Sequence, residues 1–173
     1  MSPPAQSRKI RIELSVEGGQ WKPEGVLSTM CEQVLGIAAD YLAQHGQPFP
    51  EGGTEVSLLF TEDEEMRLIN GRWRSKDTPT NVLSFPSAPI EPGHSPGVFL
   101  GDIVLAYQTI AREAESLEIP FDNHLTHLLV HGLLHLLGYD HIHDDEARMM
   151  ENLETRILAE LNLSDPYEDT DPV

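Results

Sequence analysis

The chain has almost no cysteine, and with Cys31 alone among 173 residues it cannot form an internal disulfide. At that length one core buries roughly 70% of the surface an unfolded chain would expose, so no covalent staple is needed. Cys31 falls in an amphipathic helical pattern and reads as a small core residue rather than a reactive thiol, which fits a cytoplasmic setting. Long apolar runs are missing as well, none reaching the length of a membrane span. Residues 1–9 are polar and contain proline, and no apolar h-region follows them, so no secretory leader is expected. Cations are scarce. Eleven Lys and Arg stand against 29 Asp and Glu, a net charge of −18, which argues against a nonspecific coat on nucleic acid. Repeats, low-complexity blocks and a dividing linker are all lacking, so one domain is expected.

The few cations are concentrated. Seven of the eleven lie in two short segments, Arg8, Lys9 and Arg11, then Arg67, Arg72, Arg74 and Lys76. If the second group lines a cleft, it attracts a phosphodiester there while the acidic remainder repels loose binding elsewhere. The plainer alternative is a solvated helix end.

Periodicity predicts four strands and five helices. Residues 10–16, IRIELSV, alternate apolar and polar as a half-buried strand does. Val26, Leu27, Met30, Val34, Ile37, Ala38 and Leu42 recur at helical spacing over 23–45, with Pro23 suited to the first turn. Residues 55–60 read as a second strand, and Thr61 followed by Glu64 is a capping-box pattern for a helix running to about Trp73. Residues 81–85 form a short strand closed by Pro86, and the following 87–97, with three prolines and two glycines, is either a mobile flap or a plain connection. Residues 100–106 are a buried strand and 107–118 a helix ending before Pro120. Asp144 is placed to cap a last helix carrying Met149, Met150, Leu153, Ile157, Leu158 and Leu161.

The stretch that organises the rest is 123–143, NHLTHLLVHGLLHLLGYDHIH. Apolar residues cover nearly every face of its first part, as in a buried helix, and the one polar stripe is histidine. His131 and His135 are four apart, so their rings project from one face, as suits two ligands of one metal ion. Gly138 ends the helix and lets the chain return to deliver His141. This spacing matches the zinc-binding pattern of metzincin proteases, but their general-base glutamate is replaced here by Gly132. Three imidazoles suit one zinc ion per chain and leave a fourth position for water. His127 lies too far from His135 to share that ion and reads as a group that supports a ligand or faces the substrate; His124 and His143 read as solvated end residues.

HGLLHLLGYDH, 131–141, resembles the signature of the YbeY family of bacterial endoribonucleases and rRNA-maturation factors, and so do INGRWRSKDTPTNVLSFP, 69–86, and LGDIVLA, 100–106. The resemblance implies an α+β single domain at 10–164, a small mixed β-sheet of about four strands packed with about five helices around a buried helix carrying the histidines. Residues 1–9 are then a disordered N-terminus and 165–173 an acidic tail. Arg74 occupies the family's arginine position and is expected to grip a phosphate through its planar fork; the alternative is an ion pair with Asp77. Asp102 lies in a segment the resemblance places near the metal, where it orients a histidine or the bound water, although an acid at a strand start otherwise caps or pairs. The activity implied is zinc-dependent, single-strand-specific endoribonuclease action in rRNA processing, notably small-subunit 3′ end maturation, and in ribosome quality control. The partners implied are single-stranded RNA, the small ribosomal subunit and an Era-type GTPase, with no membrane and no DNA. The rival from another class is a ribosome-assembly binding factor with a structural zinc, and a metal-dependent peptidase stands third.

Overall fold

The computed structural model describes residues 8–140 and 142–166. Among them the chain runs β1 (Ile10–Val16), α1 (Glu24–Gln44), β2 (Thr54–Thr61), α2 (Asp63–Arg74), β3 (Val82–Pro86), β4 (Phe99–Ala106), α3 (Tyr107–Leu117), α4 (Phe121–Leu136) and α5 (Asp144–Glu160). The expected α+β domain is formed. Its sheet has the order β1-β2-β4-β3, with β3 antiparallel to β4 and the other pairs parallel. Lys9 already belongs to the fold, its ammonium 2.9 Å from Asp40 and its carbonyl accepting from the Thr54 amide at 2.9 Å. Residues 1–7 and 167–173 lie outside the described residues.

The two faces of the sheet bury different elements. Ile103 and Leu105 turn toward α1, α4 and α5, whereas Leu83, Val104 and Ala106 pack with Met66 of α2 on the other face. Helix α4 is central: Leu125, Leu128, Leu129, Val130, Leu133, Leu134 and Leu136 are all buried, each worth about 1.5–3 kcal/mol of transfer free energy. Cys31 is a core residue on α1, and burial, then the charge of Glu32, pushes its thiol up to about 12.

Three local expectations change. Thr61 is the last residue of β2 and Glu62 takes the cap position of α2 without a side-chain bond, so no capping box forms. The α2 start is instead stitched to α3: the Asp63 amide donates to Gln108 Oε1 at 2.7 Å, and Asp63 Oδ1 accepts from the Thr109 amide at 3.0 Å. His143, not Asp144, precedes α5, and Asp144 joins Asp145 and Glu146 in its first turn, beside the positive end of the helix dipole. The connection between β3 and β4 is braced. Buried Gln47 donates to the His94 carbonyl at 2.7 Å and accepts from the Gly93 amide at 3.1 Å, while Thr54 Oγ1 donates to the Gly97 carbonyl at 2.7 Å. Truncating Gln47 to alanine removes its two hydrogen bonds to the exposed Gly93–His94 backbone, so thermal unfolding of Gln47→Ala is expected to show a loss of about 1–2 kcal/mol, with faster amide exchange at Gly93. Unchanged stability and exchange would contradict this brace.

Candidate metal centre

Helix α4 presents one polar stripe, His124, His127, His131 and His135, at steps of three and four residues that keep all four rings on one side. His131 and His135 meet: their Nε2 atoms are 3.0 Å apart, with ring planes at 80°. Two nitrogens bound tetrahedrally to one zinc at 2.0–2.1 Å are about 3.3 Å apart, so the pair is within a few tenths of an ångström of that spacing. Among the described residues no set of three metal-binding side chains is formed. The third expected ligand, His141, lies outside them.

Behind this pair stands a residue that the periodicity reading passed over. Glu154 of α5 is fully buried, and its carboxylate takes hydrogen bonds from His131 Nδ1 and from His127 Nε2, the latter at 3.2 Å. Burial pushes the Glu154 carboxyl up, but the hydrogen bonds from His127 and His131 outweigh it and hold it at about 2. An ionised carboxylate can only accept, so His131 carries its proton on Nδ1 and directs the Nε2 lone pair toward His135. That is how a carboxylate prepares an imidazole for a metal. A signal existed in the sequence: Glu154 sits four residues from both Met150 and Leu158, on the buried stripe of α5. A charged side chain on such a stripe needs a partner inside.

The other expected site residues divide. His127 hydrogen-bonds Glu154 and meets the His131 ring edge-on, with centroids 6.3 Å apart, so it supports the carboxylate that supports His131. His124 is buried, not solvated, and its Nε2 lies 2.8 Å from Glu113 Oε1. Asp102 is not brought to the histidines. It is exposed and pairs with Phe85, on the sheet face of Val104, whereas Ile103 faces α4. Strand alternation decides this, since neighbouring residues point to opposite faces.

A cleft of about 690 Å³ runs from His131 and His135 along β3, with Asn81, Ser84, Asp140 and Arg74 among its walls. Arg74 alone of the four cations near α2 lines it. Arg67 is turned away between Glu64 (2.6 Å) and Asp77, which takes the acid expected for Arg74. Buried Asn70 sets the turn after Arg74, donating to the Thr78 carbonyl at 2.8 Å while its own carbonyl accepts from the Lys76 amide at 3.2 Å. The Arg8, Lys9 and Arg11 segment belongs to the opposite sheet edge, at β1. Tyr139 also lines the cleft, and burial raises its phenol so that it stays a neutral donor.

Two glycines shape this cleft. Gly132 lets α4 approach the sheet: a Cβ there would lie 3.1 Å from Ile103 and 3.2 Å from Ser84 Oγ, which itself donates to the Gly132 carbonyl at 3.1 Å. Gly138 has φ +99°, and a Cβ would collide with the Ile90 carbonyl of the braced connection, so only glycine ends the helix here.

A family model described as endoribonuclease YbeY matches residues 20–162. The chain is 60% identical over 164 residues to endoribonuclease YbeY of Rhizobium meliloti (strain 1021), covering 94% of this chain and 98% of that one. It is likewise 60% identical over 165 residues to the protein of that name in Sinorhizobium medicae (strain WSM419), covering 95% and 98%. Among solved structures, TM1509 of Thermotoga maritima shares the fold with a TM-score of 0.55 and 24% identity, covering 94% of this chain and 97% of that one.

Proposed function

The chain belongs to the endoribonuclease YbeY family, a nuclease acting on RNA, and on that footing we propose that it is a zinc-dependent, single-strand-specific enzyme of rRNA processing. Small-subunit 3′ end maturation and ribosome quality control are the proposed tasks, with the small ribosomal subunit and an Era-type GTPase as partners. No helix among the described residues is long and apolar enough to cross a membrane, which agrees with work on ribosomal RNA in the cytoplasm.

The observation that carries the reading is the shared cleft of Arg74 and the histidine pair. His131, His135 and His141 are the proposed ligands of one zinc ion. Bound zinc lowers the pKa of a coordinated water toward roughly 7 and polarises a phosphoryl oxygen. Glu154 keeps His131 in the tautomer that offers Nε2. Arg74 donates its paired N–H groups to nonbridging phosphate oxygens, meeting the charge that develops there from the side away from the histidines. Asp140 is the one carboxylate lining this cleft among the described residues, and it is the proposed acceptor of the nucleophile's proton.

Arg74→Ala is expected to lower the turnover of single-stranded RNA by about 100-fold, the range found for loss of one charge-stabilising donor. Zinc content stays at the wild-type level, because Arg74 contacts substrate rather than metal. Arg74→Lys, which keeps the charge but loses the fork, falls between. A zinc-depleted Arg74→Ala protein would show that the arginine serves the metal instead. The binding-factor reading requires wild-type, zinc-loaded protein to leave RNA intact. The peptidase reading requires cleavage of a peptide library, and Gly132, whose Cβ position would already press on Ile103 and Ser84, supplies no glutamate to act as the protease base.

A further inference from the structure

Beyond His131, away from Arg74, lies a second pocket of about 410 Å³, bounded by Asn81, Glu113, Leu117, His124, His127 and Leu128. It shares Asn81, Val82 and His131 with the cleft, so the two are neighbours across one imidazole. We propose that this pocket is a base-recognition subsite for the nucleotide next to the scissile phosphate, selecting bases that carry an exocyclic amino group, with Glu113 as the accepting residue. This rests on the nuclease reading for its place beside the cut, but not for its chemistry.

The chemistry follows from which hydrogen-bonding groups are already used. Asn81 Nδ2 donates to Glu113 Oε1 at 2.9 Å and to Oε2 at 3.3 Å, and His124 donates to Oε1 at 2.8 Å. Two of these bonds fill Oε1, and the third, at 3.3 Å, leaves Oε2 room for another, because a carboxylate oxygen accepts two. Asn81 Oδ1 takes the Val82 amide at 2.6 Å and is likewise an acceptor. What the pocket offers a ligand from Glu113 and Asn81 is therefore acceptance. No lysine or arginine lines it, and the Glu113 carboxylate, held below its usual range against burial by the hydrogen bonds from His124 and Asn81, would repel a phosphate.

An uncharged, flat, donor-bearing group suits this arrangement. Leu117 and Leu128 supply apolar walls, and Leu117 is 57% exposed with its surface open to a ligand. Unstacked bases of single-stranded RNA are read this way, on apolar surface with their polar edge satisfied by side chains. Adenine, cytosine and guanine each present an exocyclic amino group to a carboxylate, whereas uracil's one donor on its pairing edge, N3–H, lies between two carbonyl oxygens that a carboxylate repels. The division of labour along the groove is electrostatic: the arginine side takes phosphate and the carboxylate side takes a base.

The test uses full-length, zinc-loaded protein and single-stranded pentanucleotides that differ only at the central base. Uncleavable 2′-O-methyl versions report binding by fluorescence anisotropy, and the RNA versions report cleavage. Wild type is expected to bind pentamers with a central adenine, cytosine or guanine about tenfold more tightly than uracil, as fits one hydrogen bond to a charged acceptor. Glu113→Gln, nearly isosteric but able to donate, is expected to abolish or invert that preference with zinc content unchanged. A preference that is identical in Glu113→Gln overturns the proposal, as does equal binding of all four by wild type. Should Glu113→Gln not fold, Leu117→Ala at the exposed wall decides: about threefold weaker binding of the amino-bearing pentamers supports the subsite, and unchanged binding overturns it. Failure of wild type to cleave any RNA pentamer strikes the nuclease reading alone, because the binding preference still decides the pocket.

Discussion

His135→Ala is expected to lose bound zinc and RNA cleavage together, with zinc falling from one per chain to near zero and turnover falling at least 1,000-fold. The reason is geometric. His131 and His135 converge at 3.0 Å between Nε2 atoms, and the proposed tetrahedral three-imidazole site, with one ligand removed, no longer holds a catalytic ion against dialysis. Comparison with Arg74→Ala separates the two roles: one variant loses metal and chemistry, the other chemistry alone. Metal analysis after dialysis, paired with cleavage of labelled single-stranded RNA, reads both. A His135→Ala protein that still holds one zinc per chain would move the centre elsewhere. One that cleaves RNA normally without zinc would remove metal from the reaction.

The second large effect belongs to Glu154. Its carboxylate is fully buried and bonds both His127 and His131, so Glu154→Ala leaves two imidazole N–H groups without their acceptor and a gap between α4 and α5. Losing two hydrogen bonds to a charged acceptor costs about 1.5–3 kcal/mol each, and loss of a group that orients a ligand weakens metal binding by about 10–100-fold. Glu154→Gln refines the point. Its oxygen still accepts one bond, but its NH₂ opposes a second ring N–H, forcing one histidine to move its proton to the other nitrogen. If that ring is His131, Nε2 is blocked and zinc affinity drops although stability is largely kept. Acid stability should change too. The Glu154 carboxyl is lowered from 4.5 to about 2, so its ionised form favours the folded state. That contribution is full above about pH 4.5, disappears as pH falls through about 2, and amounts to roughly 3 kcal/mol. Urea titrations across that window should show a steeper acid loss for wild type than for Glu154→Gln. Parallel curves would mean that the carboxylate gains nothing from its histidines.

Elements within one stretch of chain were legible because their periods are local. The alternation of IRIELSV matches β1 at Ile10–Val16, and the apolar wrap around the histidines matches buried α4. Helix starts were less legible: Thr61 and Asp144 both carry the chemistry of a cap, but β2 continues through Thr61 and α5 begins at Asp144. The connection at 87–98, rich in proline and glycine, gave no hint of Gln47, which ties it down through bonds spanning 46 and 47 positions. Composition describes a loop's own freedom and says nothing of what grips it.

What the sequence determined by itself is the order of strands and helices along the chain, the i, i+4 pairing of His131 with His135 and the glycine stop beyond them. Each depends only on backbone geometry within a few residues. Only the tertiary structure decided that Glu154 backs His131, that Asp102 faces away from α4, that Arg74 rather than Arg67 reaches the cleft, and that Glu113 closes a second pocket. Those outcomes hang on placing β3 at the sheet edge beside α4 and on laying α5 across it. A helical or strand period says which side of its own element a residue takes, and packing between elements then settles what that side meets.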